Sequence, residues 1–150
     1  MIFNLIFPVW MLFYFIPFLI FIAIVGNVAI DIGVVKFMTR NTAEYFGYFK
    51  WNILFTILFG FLADIIGGIA LTLTYEITPS SINYFHIWSN PISVIVHVVA
   101  ILFVGVLIYF FNYWNYSSSN LTKQEVIRLS LALAIITMPY TFLISASIYY

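Results

Sequence analysis

Long apolar runs broken by brief polar interruptions make up most of the chain, and the polar positions inside those runs recur at intervals of three and four. The runs cover about 10–35, 51–75, 91–111 and 126–148. Each is close to the roughly twenty residues that a helix needs to cross a hydrocarbon core of about 30 Å. The pattern predicts an all-α integral membrane protein, a single transmembrane domain over residues 1–150 in which four helices form an up-and-down bundle. Apolar character in fact begins at Ile2, and a helix from there to Val35 would be about 50 Å long, too long for one span and too short for two with a turn. The stretch "NLIFPVWMLFYFIP" carries Trp10, Tyr14, Pro8 and Pro17. An interfacial or kinked N-terminal extension of the first helix is therefore expected. A cleaved signal peptide is disfavoured, because neither a basic leading segment nor a small-x-small cleavage site precedes the next run.

Projected at 100° per residue, the second run places Thr56, Gly60, Ala63, Asp64, Gly67, Leu71 and Thr74 on one side, with Leu58, Leu62, Ile65 and Ile69 opposite. Small residues let helices approach closely in lipid, so the glycine side, including Gly68 at its edge, is the expected packing face. The other runs repeat the arrangement. Ala23, Asn27 and Asp31 are spaced by four in the first, and Ser93, His97 and Ala100 share a side of the third. Ser130, Ala134, Thr137, Thr141 and Ser145 do so in the fourth. Expected packing residues are thus Gly60, Gly67, Gly68, Ala134 and Thr141, around a partly polar axis.

Composition agrees: 65% of residues are hydrophobic, 21% aromatic and only 7% charged, with no net charge. So few and so scattered cations exclude a nucleic-acid partner, which would need clustered Lys and Arg. The chain contains no cysteine, which removes disulfides, thiolate catalysis and Cys-based metal sites together. No cofactor is expected. All five basic residues, Lys36, Arg40, Lys50, Lys123 and Arg128, fall in or beside the first and third connections, whereas the second, "EITPSSINYFHIWSN", has none. The positive-inside rule then makes the first and third connections cytoplasmic and puts both termini outside. Abundant Ile, Phe, Tyr and Asn suit an AT-rich genome, and a bacterial plasma membrane is the expected location. Thr122 and Glu125 have the spacing of a capping box at the start of the fourth helix. Two glycosylation-type sequons, at Asn115 and Asn120, lie on the expected cytoplasmic side and are read as chance.

The candidate intramembrane polar sites are Asn27, Asp31, Asp64, His97 and Arg128. Asp31 and Arg128 each lie near the cytoplasmic end of their helices, and the first and last helices of an up-and-down bundle are neighbours, so an ion pair between them is expected. Asp64 and His97 are both reached from the outer side, about 7 Å apart in depth. An intramembrane aspartyl hydrolase is disfavoured, since Asp31 and Asp64 lie at different depths and the Asn-x-x-Asp-Arg type signature of the lipoprotein signal peptidases is absent. The string Gly60-Phe61-Leu62-Ala63-Asp64, followed by Gly67 and Gly68, resembles a segment of cell-shape membrane proteins of the MreD type and of substrate-binding subunits of energy-coupling-factor transporters. The resemblance covers Gly60 to Leu71 and implies a non-catalytic subunit that works through partners.

These residues lead to an expectation of a small polytopic membrane protein that is not an enzyme. It would act as an accessory, assembly or immunity-like subunit, packing against lipid and against a membrane-protein partner or a second copy of itself. The alternative is a proton-coupled transporter or channel for a small solute or ion, using Asp64 and His97 as titrating groups.

Overall fold

The structure, a computed structural model, describes residues 17–40, 50–78, 83 and 86–143, with side chains from residue 24 onward. The described elements are all helical. They are α1 (Pro17–Met38), α2 (Lys50–Ile77), α3 (Pro91–Ser117) and α4 (Lys123–Thr137), with 3-10 turns at Ile87–Ser89 and Tyr140–Leu143. Among the described residues, three stretches are long and apolar enough to cross a membrane: Lys50–Ile77, Pro91–Ser117 and Lys123–Leu143. The interfacial or kinked extension expected before Pro17 lies outside the described residues. The four helices form a ring in which α2 packs on α3, α3 on α4, α4 on α1, and α1 more sparsely on α2.

Local sequence sets the helix ends. Asn90 caps α3 by accepting from the Ile92 N–H at 2.9 Å, and Pro91 occupies the first turn, where its missing N–H costs nothing. At α4 the capping box forms in full. The Glu125 N–H donates to Thr122 Oγ1, and the Thr122 N–H donates to Glu125 Oε2 at 2.8 Å.

The two largest departures from the boundaries that the apolar pattern predicts are at the ends of α3 and α4. Helix α3 runs six residues past Phe111 to Ser117, because Asn112, Asn115 and Tyr116 find partners within the bundle. The fourth helix is not continuous from 126 to 148: α4 stops at Thr137. Pro139 lacks an N–H and its ring excludes the carbonyl one turn back, and Met138 ahead of it is pushed to an extended conformation with ψ 150°. The Ile135 carbonyl accepts instead from the Tyr140 hydroxyl.

The core follows the small-residue faces. Ile53, Thr56, Gly60, Ala63, Gly67 and Leu71 are buried on α2, while Leu58, Leu62, Ile65 and Ile69 are exposed on the opposite side. On α3 the buried line runs through Ser93, His97, Ala100, Val104, Ile108, Asn112 and Tyr116. The glycines are unequal. A Cβ at Gly67 would collide with the Val104 side chain and crowd the Phe142 ring, whereas a Cβ at Gly60 or Gly68 would meet nothing within 4 Å. Close approach therefore depends on Gly67, and on Gly105, which faces Met138. Phe59 on α2 packs at a tilt against Phe111 and Trp114 of α3, with ring centroids 5.2 and 6.3 Å away.

Candidate functional site

Every polar side chain that lipid would disfavour must find a partner inside the bundle or at its ends. The α2–α3 seam supplies the densest set. The Asn52 side-chain amide donates to the Asn115 main-chain carbonyl at 2.9 Å, and the Asn115 amide donates back to the Asn52 carbonyl at 2.8 Å. One turn deeper, the Thr56 hydroxyl lies 2.8 Å from Asn112 Oδ1, to which it donates, and 3.1 Å from the Tyr116 hydroxyl. The Asn112 amide donates to the Ile108 carbonyl at 2.9 Å. Tyr116 is completely buried, and its ring belongs to the core cluster with Val104, Ile108 and Leu129. Interhelical hydrogen bonds of this kind contribute about 0.6 kcal/mol each in membranes.

The opposite end of α3 carries His97 and Ser93. His97 Nδ1 lies 2.6 Å from the Ser93 carbonyl, which can only accept, so Nδ1 carries the proton. Ser93 Oγ accepts from the Asn83 N–H at 2.7 Å and ties the preceding loop to the helix. His97 is buried.

The sequence candidates are distributed unevenly through this interior. Asn27 is half-buried on α1. Asp31 is buried, and its carboxyl is within electrostatic reach of Asp64 and of Tyr116. Asp64 is half-buried at the rim of the glycine face of α2, and its Oδ1 is shut off from solvent with no hydrogen-bond partner. No hydrogen bond or ion pair joins Asp64 to His97. Gly67 and Ala134 are buried; Thr141 is exposed, because the break at Pro139 carries it off the face it would share with Ala134 on a continuous helix.

The expected ion pair between Asp31 and Arg128 does not form. Helices α1 and α4 are neighbours, but Arg128 is exposed while Ser130, two residues on and about 200° around the helix, is fully buried. The buried face of α4 is Val126, Leu129, Ser130, Leu133 and Ala134, and it turns Arg128 outward.

Asn52, Asn112, Asn115 and Tyr116 were not anticipated as a group. Their signal was present: Asn52 and Thr56 are spaced by four, and Asn112, Asn115 and Tyr116 by three and four, the spacing of two facing helical stripes. Among the described residues no three His, Cys, Asp or Glu side chains converge as a metal site would require.

The class that the fold and this interior define is a helical membrane protein, with its polar groups turned inward and apolar side chains outward. No protein-family model, curated protein or solved structure matches the chain.

Proposed function

We propose that this chain is a four-span protein of a bacterial plasma membrane, with both termini outside, that has no catalytic role. It acts as an accessory, assembly or immunity-like subunit by packing against a membrane-protein partner or a second copy of itself. The observation that favours this reading is where the polar atoms go: Thr56 to Asn112, Asn52 to Asn115 and His97 to Ser93 are satisfied within the chain. A permeation path would need such groups turned toward a hydrated opening, whereas these are turned to one another.

Proton-coupled transport through Asp64 and His97 is the second reading, and what favours it is the unpartnered Oδ1 of Asp64. Asp64→Asn separates the two. It keeps the size and a donor, so a packing subunit still assembles with its partner and supports its cellular role. A proton carrier loses the titrating group, and pH-driven flux in proteoliposomes disappears while the fold persists. Co-purification from native membrane in mild detergent, read by mass spectrometry, tests the subunit reading directly; recovery of the chain alone, with no stoichiometric partner and no second copy, counts against it.

A further inference from the structure

Helix α4 opens the stretch Lys123–Leu143, which is long and apolar enough to cross a membrane, and its first two turns carry two cations, Lys123 and Arg128. Arg128 is placed unlike the other basic residues. Lys36 lies in the last turn of α1 and Arg40 just beyond it, Lys50 opens α2 and Lys123 opens α4, so each of these stands at a helix end. Arg128 instead lies inside its helix, about 7.5 Å along the axis from Lys123, on the side turned away from the bundle.

The carboxylate nearest to it in sequence is committed elsewhere. Glu125 Oε2 accepts from both the Thr122 N–H and the Thr122 hydroxyl, at 2.8 Å each, as part of the cap of α4. No ion pair joins Arg128 to a carboxylate among the described residues. At 100° per residue, Gln124, Arg128, Leu131 and Ile135 fall within about 60° of one another, opposite the buried line of Val126, Leu129, Ser130, Leu133 and Ala134. Gln124 and Arg128 are exposed, and Leu131 and Ile135 are 49% and 51% exposed. From the helix start inward, this stripe offers an amide, a guanidinium and then hydrocarbon, in the order in which a phospholipid presents its headgroup and its acyl chain.

We propose that the outward stripe of α4, Gln124, Arg128, Leu131 and Ile135, with Lys123 beside it, is a site for one anionic phospholipid. A cation on a hydrocarbon-facing surface reaches back toward the interface along its aliphatic stem, and there a phosphate meets it. The guanidinium fork matches two phosphate oxygens. Charge selects among lipids. Two cations, Lys123 and Arg128, against one carboxylate, Glu125, leave one positive charge on these turns. A zwitterionic lipid brings its own cation and leaves that charge standing, whereas a lipid with a single net negative charge cancels it. The apolar half of the stripe makes the occupant a lipid and not free phosphate, because Leu131 and Ile135 have use only for an acyl chain. The site lies outside the bundle, so it adds a dependence on lipid composition to the packing role proposed above without drawing on the same residues.

The test is native mass spectrometry of the purified full chain in mild non-ionic detergent, titrated with phosphatidylglycerol or phosphatidylcholine of the same acyl chains. One phosphatidylglycerol binds per chain, about tenfold more tightly than phosphatidylcholine. Arg128→Gln removes the preference, while its unfolding temperature in detergent alone stays that of the parent. Lys50→Gln, at the start of another helix, keeps the preference. The proposal is overturned if the two lipids bind the parent equally or if Arg128→Gln still prefers phosphatidylglycerol. A loss as complete in Lys50→Gln would also overturn it, since the preference would then belong to the diffuse charge of this end of the bundle. So would displacement of the lipid by inorganic phosphate, which would leave the acyl chain idle, or binding confined to a dimer, which would seat the lipid between two copies.

Discussion

The hydroxyl of Tyr140 donates to the main-chain carbonyl of Ile135, a group that a continuous helix would have satisfied with the N–H of residue 139. Residue 139 is proline, so the side chain one position later does the work of the missing backbone donor. Tyr140→Phe removes the donor without changing the ring. It should destabilise the protein by about 1 kcal/mol, read as a lower unfolding temperature in detergent. An unchanged transition would mean that the Ile135 carbonyl needs no partner.

Gly67 and Gly68 are adjacent in sequence and opposite in environment. Gly67→Ala drives a methyl group into Val104 and against Phe142, and should cost about 1–3 kcal/mol. Gly68→Ala places the methyl in open space and should be neutral or stabilising by up to about 1 kcal/mol, because alanine favours the helix. Equal effects from the two would show that α2 and α3 do not meet at Gly67.

The reciprocal amides of Asn52 and Asn115 call for a double-mutant cycle. Asn52→Leu or Asn115→Leu alone removes the donor to the partner's main-chain carbonyl together with the direct bond from Asn52 Nδ2 to Asn115 Oδ1 at 3.2 Å, and should cost about 1–3 kcal/mol; because both single variants lose that shared bond, the double variant should lose less than the sum. Strict additivity in equilibrium unfolding would show that the two side chains do not interact.

Arg128 faces outward and Asp31 inward, so the two should not be coupled. Arg128→Gln should change stability by less than about 0.5 kcal/mol, as surface substitutions usually do. A loss comparable to that of Asp31→Asn would restore the ion pair that the structure lacks.

Orientation is testable because the chain has no cysteine. Single cysteines at Ser89 and Ser118, both exposed, should label oppositely with an impermeant thiol reagent in intact cells, Ser89 from outside and Ser118 only after permeabilisation. Labelling of both, or the reverse, would overturn the proposed topology.

Periodicity made the helix faces legible. Leu58, Leu62, Ile65 and Ile69 face away from the core and Thr56, Ala63 and Gly67 face into it, since the angle between positions is fixed by helix geometry. The Thr122–Glu125 cap was legible for the same reason: it is local. What failed was non-local. The pairing of Asp31 with Arg128 had the right neighbouring helices and nearly the right depth, yet it needed the rotation of α4, which the burial of Leu129, Ser130 and Leu133 decides. The break at Thr137 did not show in hydropathy, because the run stays apolar on both sides of Pro139. The Asn52, Asn112, Asn115 and Tyr116 cluster was lost because hydropathy ends a span where polar residues begin, even when another helix stands ready to receive them.

The seat for Phe142 has two walls on separate helices, Gly67 of α2 and Val104 of α3, and it comes into being only once those helices have met. Trp88, in the connection between them, donates its indole N–H to the Leu143 carbonyl and latches the same segment. The segment Tyr140–Leu143 is thus the keystone of this end of the bundle. It leaves the ribosome after everything it rests on, so order of synthesis and order of assembly coincide, and a chain stopped before Tyr140 would leave the gap between α2 and α3 without its plug.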